Sequence, residues 1–151
     1  MTLCLSGKHL QMQFEKQIAI VTGAGQGIGF EICRQLCAQG ASVILNDVEE
    51  SLAKHAADKI KNEGGNCYAM HGDASDVVFI QSMVDTAVEK FGGLNIVIAN
   101  AGITLFADFF EYTAESFNKV MQLNLGGSFF LAQSAAKQMK QQGTGGRILF
   151  M

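Results

Sequence analysis

The feature that most constrains the fold of this 151-residue chain is a short apolar run that leads directly into a cluster of glycines. The run at 18–22 is rich in β-branched residues, glycines follow at 23, 25, 27 and 29, and an amphipathic pattern continues to 39. This order predicts a strand, a tight turn and a helix N-terminus, the arrangement that holds the pyrophosphate of a dinucleotide in α/β proteins. The spacing GxxxGxG is a variant of the general GxGxxG pattern, and a purely structural turn is the alternative. A P-loop is excluded because no Lys-Ser/Thr pair follows the glycines.

The rest of the chain alternates apolar runs with amphipathic segments. Strands are predicted at 17–22, 42–46, 66–70, 94–100 and from 147 onward, and helices at 27–39, 49–62, 75–91 and 113–141. Strict alternation is typical of a parallel sheet with right-handed crossovers and helices on both faces. We therefore predict an α/β fold, a doubly wound Rossmann-type sheet in a domain spanning 14–151, preceded by an N-terminal extension over 1–13.

Composition argues against several classes of function. The net charge is −3 and no basic stripe is present, which disfavours nucleic-acid binding. The sequence contains no run of 18 apolar residues, so no membrane-spanning helix is predicted. The three histidines lack ligand spacing, so no metal site is predicted.

The four cysteines contain no CxxC pair, although Cys33 and Cys37 lie one helical turn apart. We interpret them as small apolar residues in or near the core, with a redox or metal pair as the alternative. This use of cysteine fits a reducing, cytoplasmic location.

Polar residues recur near the predicted C-terminal ends of successive strands. The spacings between Asp47, Asp73, Asn100 and Asn124 are 26, 27 and 24 residues, close to one strand–helix unit each. The carboxyl ends of parallel strands meet at one edge of the sheet, where ligands bind in open α/β folds. Asp73 could instead cap the helix at 75–91, and Asn100 could be a turn residue.

Asp47 carries the prediction about the cofactor. It lies 18 residues after Gly29, at the end of the second predicted strand. A carboxylate there accepts hydrogen bonds from both hydroxyls of an adenosine ribose. It also repels a 2′-phosphate, because two unit charges about 4 Å apart cost roughly 4 kcal/mol at an effective dielectric constant of about 20. The sequence therefore predicts NAD, with NADP less favoured; a solvated loop acid or a cap of the second helix is the alternative.

Together these segments resemble the short-chain dehydrogenase/reductase family over about 14–151. The matching elements are TGAGQGIG at 22–29, Asp47, the Asp73-Ala74 pair, NAG at 100–102 and Asn124 within NLGGSFF. The resemblance implies an NAD site that includes Gly23, Gln26, Gly27, Ile28, Gly29, Asp47, Asp73, Ala74, Asn100, Ala101 and Gly102. It further implies that Asn124 is an active-site residue that kinks its helix and holds a water in a proton relay. Gly126 and Gly127 fit a close helix contact.

The chain departs from the family pattern at the catalytic centre. In the family, a serine follows the fifth strand, and a tyrosine acts as general acid/base with a lysine four residues later. Here Tyr68 and Tyr112 are the only tyrosines, and Gly72 and Ser116 stand four residues after them. We therefore expect a C-terminally truncated family fold that binds cofactor but has negligible dehydrogenase activity.

The resemblance implies an oxidoreductase that transfers a hydride between NAD(H) and a carbonyl or alcohol substrate. Both 3-oxoacyl reductase-like and alcohol or sugar dehydrogenase-like substrates remain open. The complete enzyme is expected to be a homo-oligomer, a dimer or tetramer, paired through the helix at 113–141, so that Phe129, Phe130 and Leu131 are exposed in this chain. The alternative function is a non-catalytic nucleotide-binding or interaction module. A methyltransferase of similar topology is disfavoured by the segments around Asn100 and Asn124.

Overall fold

The computed structural model describes residues 12–151. Its strands are β1 (Ile18–Val21), β2 (Ser42–Asp47), β3 (Asn66–His71), β4 (Ile96–Ala99) and β5 (Arg147–Phe150). Its α-helices are α1 (Gly27–Ala38), α2 (Glu50–Asn62), α3 (Val77–Phe91), α4 (Ala114–Met121) and α5 (Ser128–Gln142). A π-helical segment, Gln122–Gly127, joins α4 to α5. The extension predicted over 1–13 lies outside the described residues, apart from Met12 and Gln13.

The five described strands form one parallel sheet in the order β3-β2-β1-β4-β5. The first strand along the sequence, β1, lies in the middle of the sheet. Strands β2 and β3 lie on one side of β1, and β4 and β5 lie on the other side. This reversal creates a crevice at the carboxyl ends of β1 and β4, which is the usual ligand-binding position in such sheets. The predicted doubly wound α/β architecture is confirmed.

Two apolar clusters cover the two faces of the sheet. Successive side chains of a strand point to opposite faces, and β1 places Ala19 and Val21 in one cluster and Ile18 and Ile20 in the other. Helices α1 and α2 pack on the first face, while α3 and α5 pack on the second. Cys33, Cys37 and Cys67 are buried in the first cluster as free thiols, which confirms the prediction of small core residues for these three. Cys4 lies outside the described residues.

The helix predicted over 113–141 is broken by the π-helical segment, which spreads six residues over a wider turn. Asn124 and Gly127 lie in that segment, so the irregular turn coincides with the kink expected near Asn124. The prediction that Leu131 is exposed is wrong: it is only 2% exposed because this face of α5 packs in the second apolar cluster. Phe129 and Phe130 are exposed as predicted.

Gly127 brings the π-helical segment into direct contact with the loop after β3. A Cβ atom at position 127 would clash with the carbonyl oxygen of Ala74, whereas one at position 126 would lie 3.7 Å from its nearest neighbour, the carbonyl oxygen of Met121. The close contact predicted for this glycine pair is therefore made by Gly127 alone.

Replacing Gly127 by alanine should lower the free energy of unfolding by about 1–3 kcal/mol, because the clash is with backbone that must move. Gly126→Ala is the matched control, since both substitutions gain a similar helix propensity, about 0.5–1 kcal/mol. Urea unfolding of both variants measures the difference. Equal free energies of unfolding for the two variants would show that the backbone at Ala74 moves aside without destabilising the fold.

Candidate nucleotide-binding site

The glycine turn places the uncapped N-terminus of α1 at the carboxyl edge of the sheet. Gly23 and Gly27 both have φ near +61°, a conformation that L side chains rarely adopt. The N-cap residue Gln26 makes no side-chain capping bond, and the first turn of α1 contains no acidic residue. The backbone N–H groups at this end of α1 and the positive end of its dipole are therefore available to an anion.

Asp47, at the end of β2, is built into this turn. Its Oδ2 atom accepts a hydrogen bond of 2.8 Å from the backbone N–H of Gly25, and its Oδ1 atom accepts one of 3.0 Å from that of Glu49. The side chain is 9% exposed. A carboxylate has about four acceptor positions, so these two bonds leave capacity for the two hydroxyls of a ribose.

Gly25 contributes to the site although sequence reasoning did not select it. A Cβ atom at this position would lie 2.7 Å from Oδ2 of Asp47 and 2.7 Å from Cβ of Leu52. Glycine therefore allows the carboxylate to approach the turn closely. Its place inside the glycine cluster was the available signal.

Thr22 and Asn100 join the ends of β1 and β4. The hydroxyl of Thr22 accepts hydrogen bonds from the backbone N–H groups of Asn100 and Ala101, each at 3.1 Å. In return, Nδ2 of Asn100 donates to the carbonyl oxygens of Thr22 and Gly23, each at 2.9 Å. The Asn100 side chain thus fixes the glycine turn relative to β4. It is not a free turn residue.

Replacing Thr22 by valine should lower the free energy of unfolding by about 1–3 kcal/mol, because two N–H groups lose their shared acceptor in a site where Thr22 is 2% exposed. Thr22→Ser keeps the hydroxyl and serves as the control for the lost hydrogen bonds. Urea unfolding of both variants gives the comparison. If serine destabilises as much as valine, the methyl group rather than the hydroxyl stabilises this junction.

Asn46 is a second residue that sequence reasoning missed. Its side chain is 1% exposed, and its Nδ2 atom donates to the carbonyl oxygens of Met70 at 3.2 Å and Gly72 at 3.0 Å. These bonds fix the backbone where β3 leads into the loop carrying Asp73. The signal in the sequence was a polar residue inside an otherwise apolar strand.

Asp73 does not cap α3. Its Oδ1 atom accepts a 2.8 Å hydrogen bond from the N–H of Ser75, within its own loop. The cap is Asp76, whose Oδ1 accepts from the N–H groups of Val78 and Phe79. The alternative reading of Asp73 as the helix cap is therefore wrong.

A cavity of about 640 Å³ lies over the crevice. Its wall includes several predicted site residues together with Asn46: Gly23, Asp73, Ala74, Ala101 and Gly102. The residues at 26–29 and Asp47 are not part of this wall; the former make up the turn and the start of α1, and Asp47 lies beside them at the end of β2. Asn100 does not line the cavity either, but its hydrogen bonds to Thr22 and Gly23 fix the position of the glycine turn.

Asn124 approaches the same region from the π-helical segment. Its Oδ1 atom accepts a 2.9 Å hydrogen bond from the N–H of Ile103, and its Nδ2 atom donates 3.0 Å to the carbonyl oxygen of Ile103. This two-bond contact holds the chain just after Gly102, which lines the cavity. The observed role of the Asn124 side chain is therefore positional.

Tyr68 and Tyr112 lie away from this arrangement. Tyr68 is on edge strand β3, with the ammonium group of Lys90 4.1 Å from its ring centre. Tyr112 lies before α4 and lines a different surface pocket with Phe109 and Phe117.

Within residues 12–151, no group of three or more His, Cys, Asp or Glu side chains is placed to hold a metal ion. Over the same range, no helix has both the length and the apolar character needed to cross a membrane.

The sheet order and the glycine turn define a doubly wound α/β protein of the Rossmann type, and comparison with known proteins identifies its family. The family model described as short chain dehydrogenase matches residues 17–151. The chain therefore belongs to the short-chain dehydrogenase/reductase family, whose members are oxidoreductases that use nicotinamide cofactors.

Individual relatives agree with this assignment. A short-chain dehydrogenase/reductase of Armillaria gallica is 40% identical over 138 residues, covering 88% of this chain and 52% of the relative. The L-rhamnose-1-dehydrogenase of Scheffersomyces stipitis is 36% identical over 137 residues, covering 88% and 53%. The crystal structure of a short-chain type dehydrogenase/reductase from Mycobacterium marinum superimposes with a TM-score of 0.87 at 29% identity, covering 91% of this chain and 56% of that one. The chain spans about half the length of the relatives it matches.

Proposed function

We propose that the chain binds NAD(H) and contributes this site to an oxidoreductase that transfers a hydride between NAD(H) and a carbonyl or alcohol substrate. The observation that carries the proposal is the junction of the uncapped α1 N-terminus with the buried carboxylate of Asp47. The helix N-terminus attracts a diphosphate, and the Asp47 carboxylate accepts hydrogen bonds from ribose hydroxyls. The two groups together match the two polar parts of an adenosine diphosphate.

Each polar part of the cofactor has a residue of matching chemistry in the proposed site. The uncapped N–H groups at 26–29 would hold the pyrophosphate, and Asp47 would hold the adenosine ribose while disfavouring NADP. Asp73 and Ala74 would lie against the adenine, and Ala101 and Gly102 would border the path of the cofactor along β4. The bound nicotinamide supplies the hydride donor or acceptor.

Asn124 belongs to the catalytic part of this proposal. Its contact with Ile103 holds the segment that follows Gly102, and hence the wall of the cavity on that side. We assign it the family's active-site asparagine role, in which it holds a water in a proton relay.

The substrate is proposed only as a class. Relatives include an L-rhamnose-1-dehydrogenase and an elsinochrome reductase, so both a dehydrogenase and a reductase are represented by name among them. A sugar or other secondary alcohol and a 3-oxoacyl group are the two substrate types that we propose. We also propose a cytoplasmic enzyme, consistent with free thiols at Cys33, Cys37 and Cys67, and a homo-oligomeric assembly of the complete protein.

Backbone amide exchange tests where the cofactor binds. Addition of NADH should slow hydrogen exchange at 26–29 and 73–75, since these amides become covered or bonded to the ligand. Amides near the C-terminal end of α5 are the internal control and should not change. Protection confined to the pocket around Tyr112, or no protection at a saturating concentration, would contradict the proposed site.

A further inference from the structure

Two of the buried cysteines, Cys37 and Cys67, lie in contacting elements at the end of the sheet opposite to the candidate nucleotide site. Cys37 lies in the last turn of α1, and Cys67 lies near the start of edge strand β3. The thiol of Cys37 donates a 3.5 Å hydrogen bond to the carbonyl oxygen of Asn66, the residue adjacent to Cys67. Both side chains belong to the same apolar cluster.

The thiols also influence each other's ionisation. The neighbouring Cys67 thiol lowers the pKa of Cys37. The Cys37 thiol, together with burial, raises the pKa of Cys67. Ionisation of the pair therefore favours a thiolate on Cys37 while Cys67 keeps its proton.

Among the three cysteines of the described residues, Cys37 is the one that a small reagent can approach. It lines a surface cleft of about 370 Å³ together with Arg34, Glu63 and Gly65. Cys33, one turn earlier in α1, is fully buried, and burial raises its pKa. Side chains four residues apart on a helix have Cβ atoms about 5–6 Å apart, whereas a disulfide needs about 3.5–4.5 Å. Cys33 is therefore a poor partner for Cys37.

We propose that Cys37 and Cys67 form a thiol-oxidation site, in which a small peroxide converts the pair to a disulfide that ties α1 to edge strand β3. The Cys37 thiolate attacks one peroxide oxygen, the O–O bond breaks, and the leaving oxygen takes a proton to become water. The sulfur of Cys67 then attacks the resulting sulfenic sulfur, the S–O bond breaks, and the second oxygen leaves as water with the Cys67 proton. Two thiols are oxidised and one peroxide is reduced to two waters.

Peptide mapping of the oxidised chain tests this proposal directly. The chain carrying Cys4→Ser is treated with hydrogen peroxide, remaining thiols are alkylated, and the denatured protein is cut with trypsin. Cleavage after Arg34, Lys54 and Lys61 puts Cys33, Cys37 and Cys67 into three separate peptides, 17–34, 35–54 and 62–90. We expect a species joining 35–54 to 62–90 that is lighter than the sum of the two reduced peptides by two hydrogen atoms and that dithiothreitol separates.

The controls distinguish this pair from the other possible pairings. Cys33→Ala should still give the linked peptides, and Cys37→Ser should abolish them while circular dichroism shows a retained fold. Three results would overturn the proposal in the chain that keeps both Cys37 and Cys67. They are a link between 17–34 and 35–54, links between separate molecules only, and full alkylation of all three peptides. The result does not depend on cofactor binding, because the pair lies at the opposite end of the strands from the glycine turn.

Discussion

Replacing Asp47 by asparagine should reduce the preference for NADH over NADPH by about 100-fold. In the native chain a 2′-phosphate would be placed beside a buried carboxylate, at a cost of roughly 4 kcal/mol for charges about 4 Å apart at an effective dielectric constant of about 20. A tenfold change in affinity corresponds to about 1.4 kcal/mol, so relief of even part of this repulsion is easily measured. Asparagine has nearly the same shape and keeps one oxygen that accepts the hydrogen bond from Gly25.

Fluorescence titration of both cofactors against the native chain and the variant provides the measurement. Asp58→Asn is the matched control, since it removes the same charge from an exposed position on α2. A preference that survives in Asp47→Asn, or that falls equally in Asp58→Asn, would contradict the role assigned to Asp47. Urea unfolding of each variant separates cofactor effects from loss of the bonds to Gly25 and Glu49.

Residues 1–151 alone should bind NADH yet show no measurable dehydrogenase turnover. Proton transfer by a positioned group typically contributes 10²–10⁴-fold to a rate, and neither tyrosine of this chain stands near the cavity with a lysine four residues later. The assay follows NADH absorbance with 3-oxoacyl thioesters, ketones and sugar lactones, and NAD⁺ reduction with the corresponding alcohols. Turnover above the uncatalysed rate would show that another group performs the proton transfer.

The sheet and its glycine turn could be predicted from the sequence because both depend on local patterns. Buried parallel strands read as continuous apolar runs, and the strand–glycine–helix order has few structural solutions. The sequence predicts a start of α3 at 75, two residues before the observed start at Val77, because both Asp73 and Asp76 are suitable caps. Only the folded structure shows that Asp76 is the cap.

The hydrogen bonds that assemble the site could not be predicted in the same way. Thr22, Gly25 and Asn46 act on residues more than twenty positions away in the sequence, and each bond forms only after the strands have paired. The π-helical segment at Gln122–Gly127 also has no local signature that distinguishes it from an α-helix. Its place is set by tertiary contacts, chiefly those of Asn124 with Ile103 and of Gly127 with Ala74.

The most direct test of the central claim, that the carboxyl edge of this sheet binds NAD(H), is a calorimetric titration of the native chain with NADH and, separately, with NADPH. We expect saturable binding of one NADH per chain, with NADPH binding more weakly. Absence of NADH binding by a chain whose circular dichroism shows a folded α/β protein would contradict the claim, and equal or tighter binding of NADPH would contradict the role of Asp47 within it.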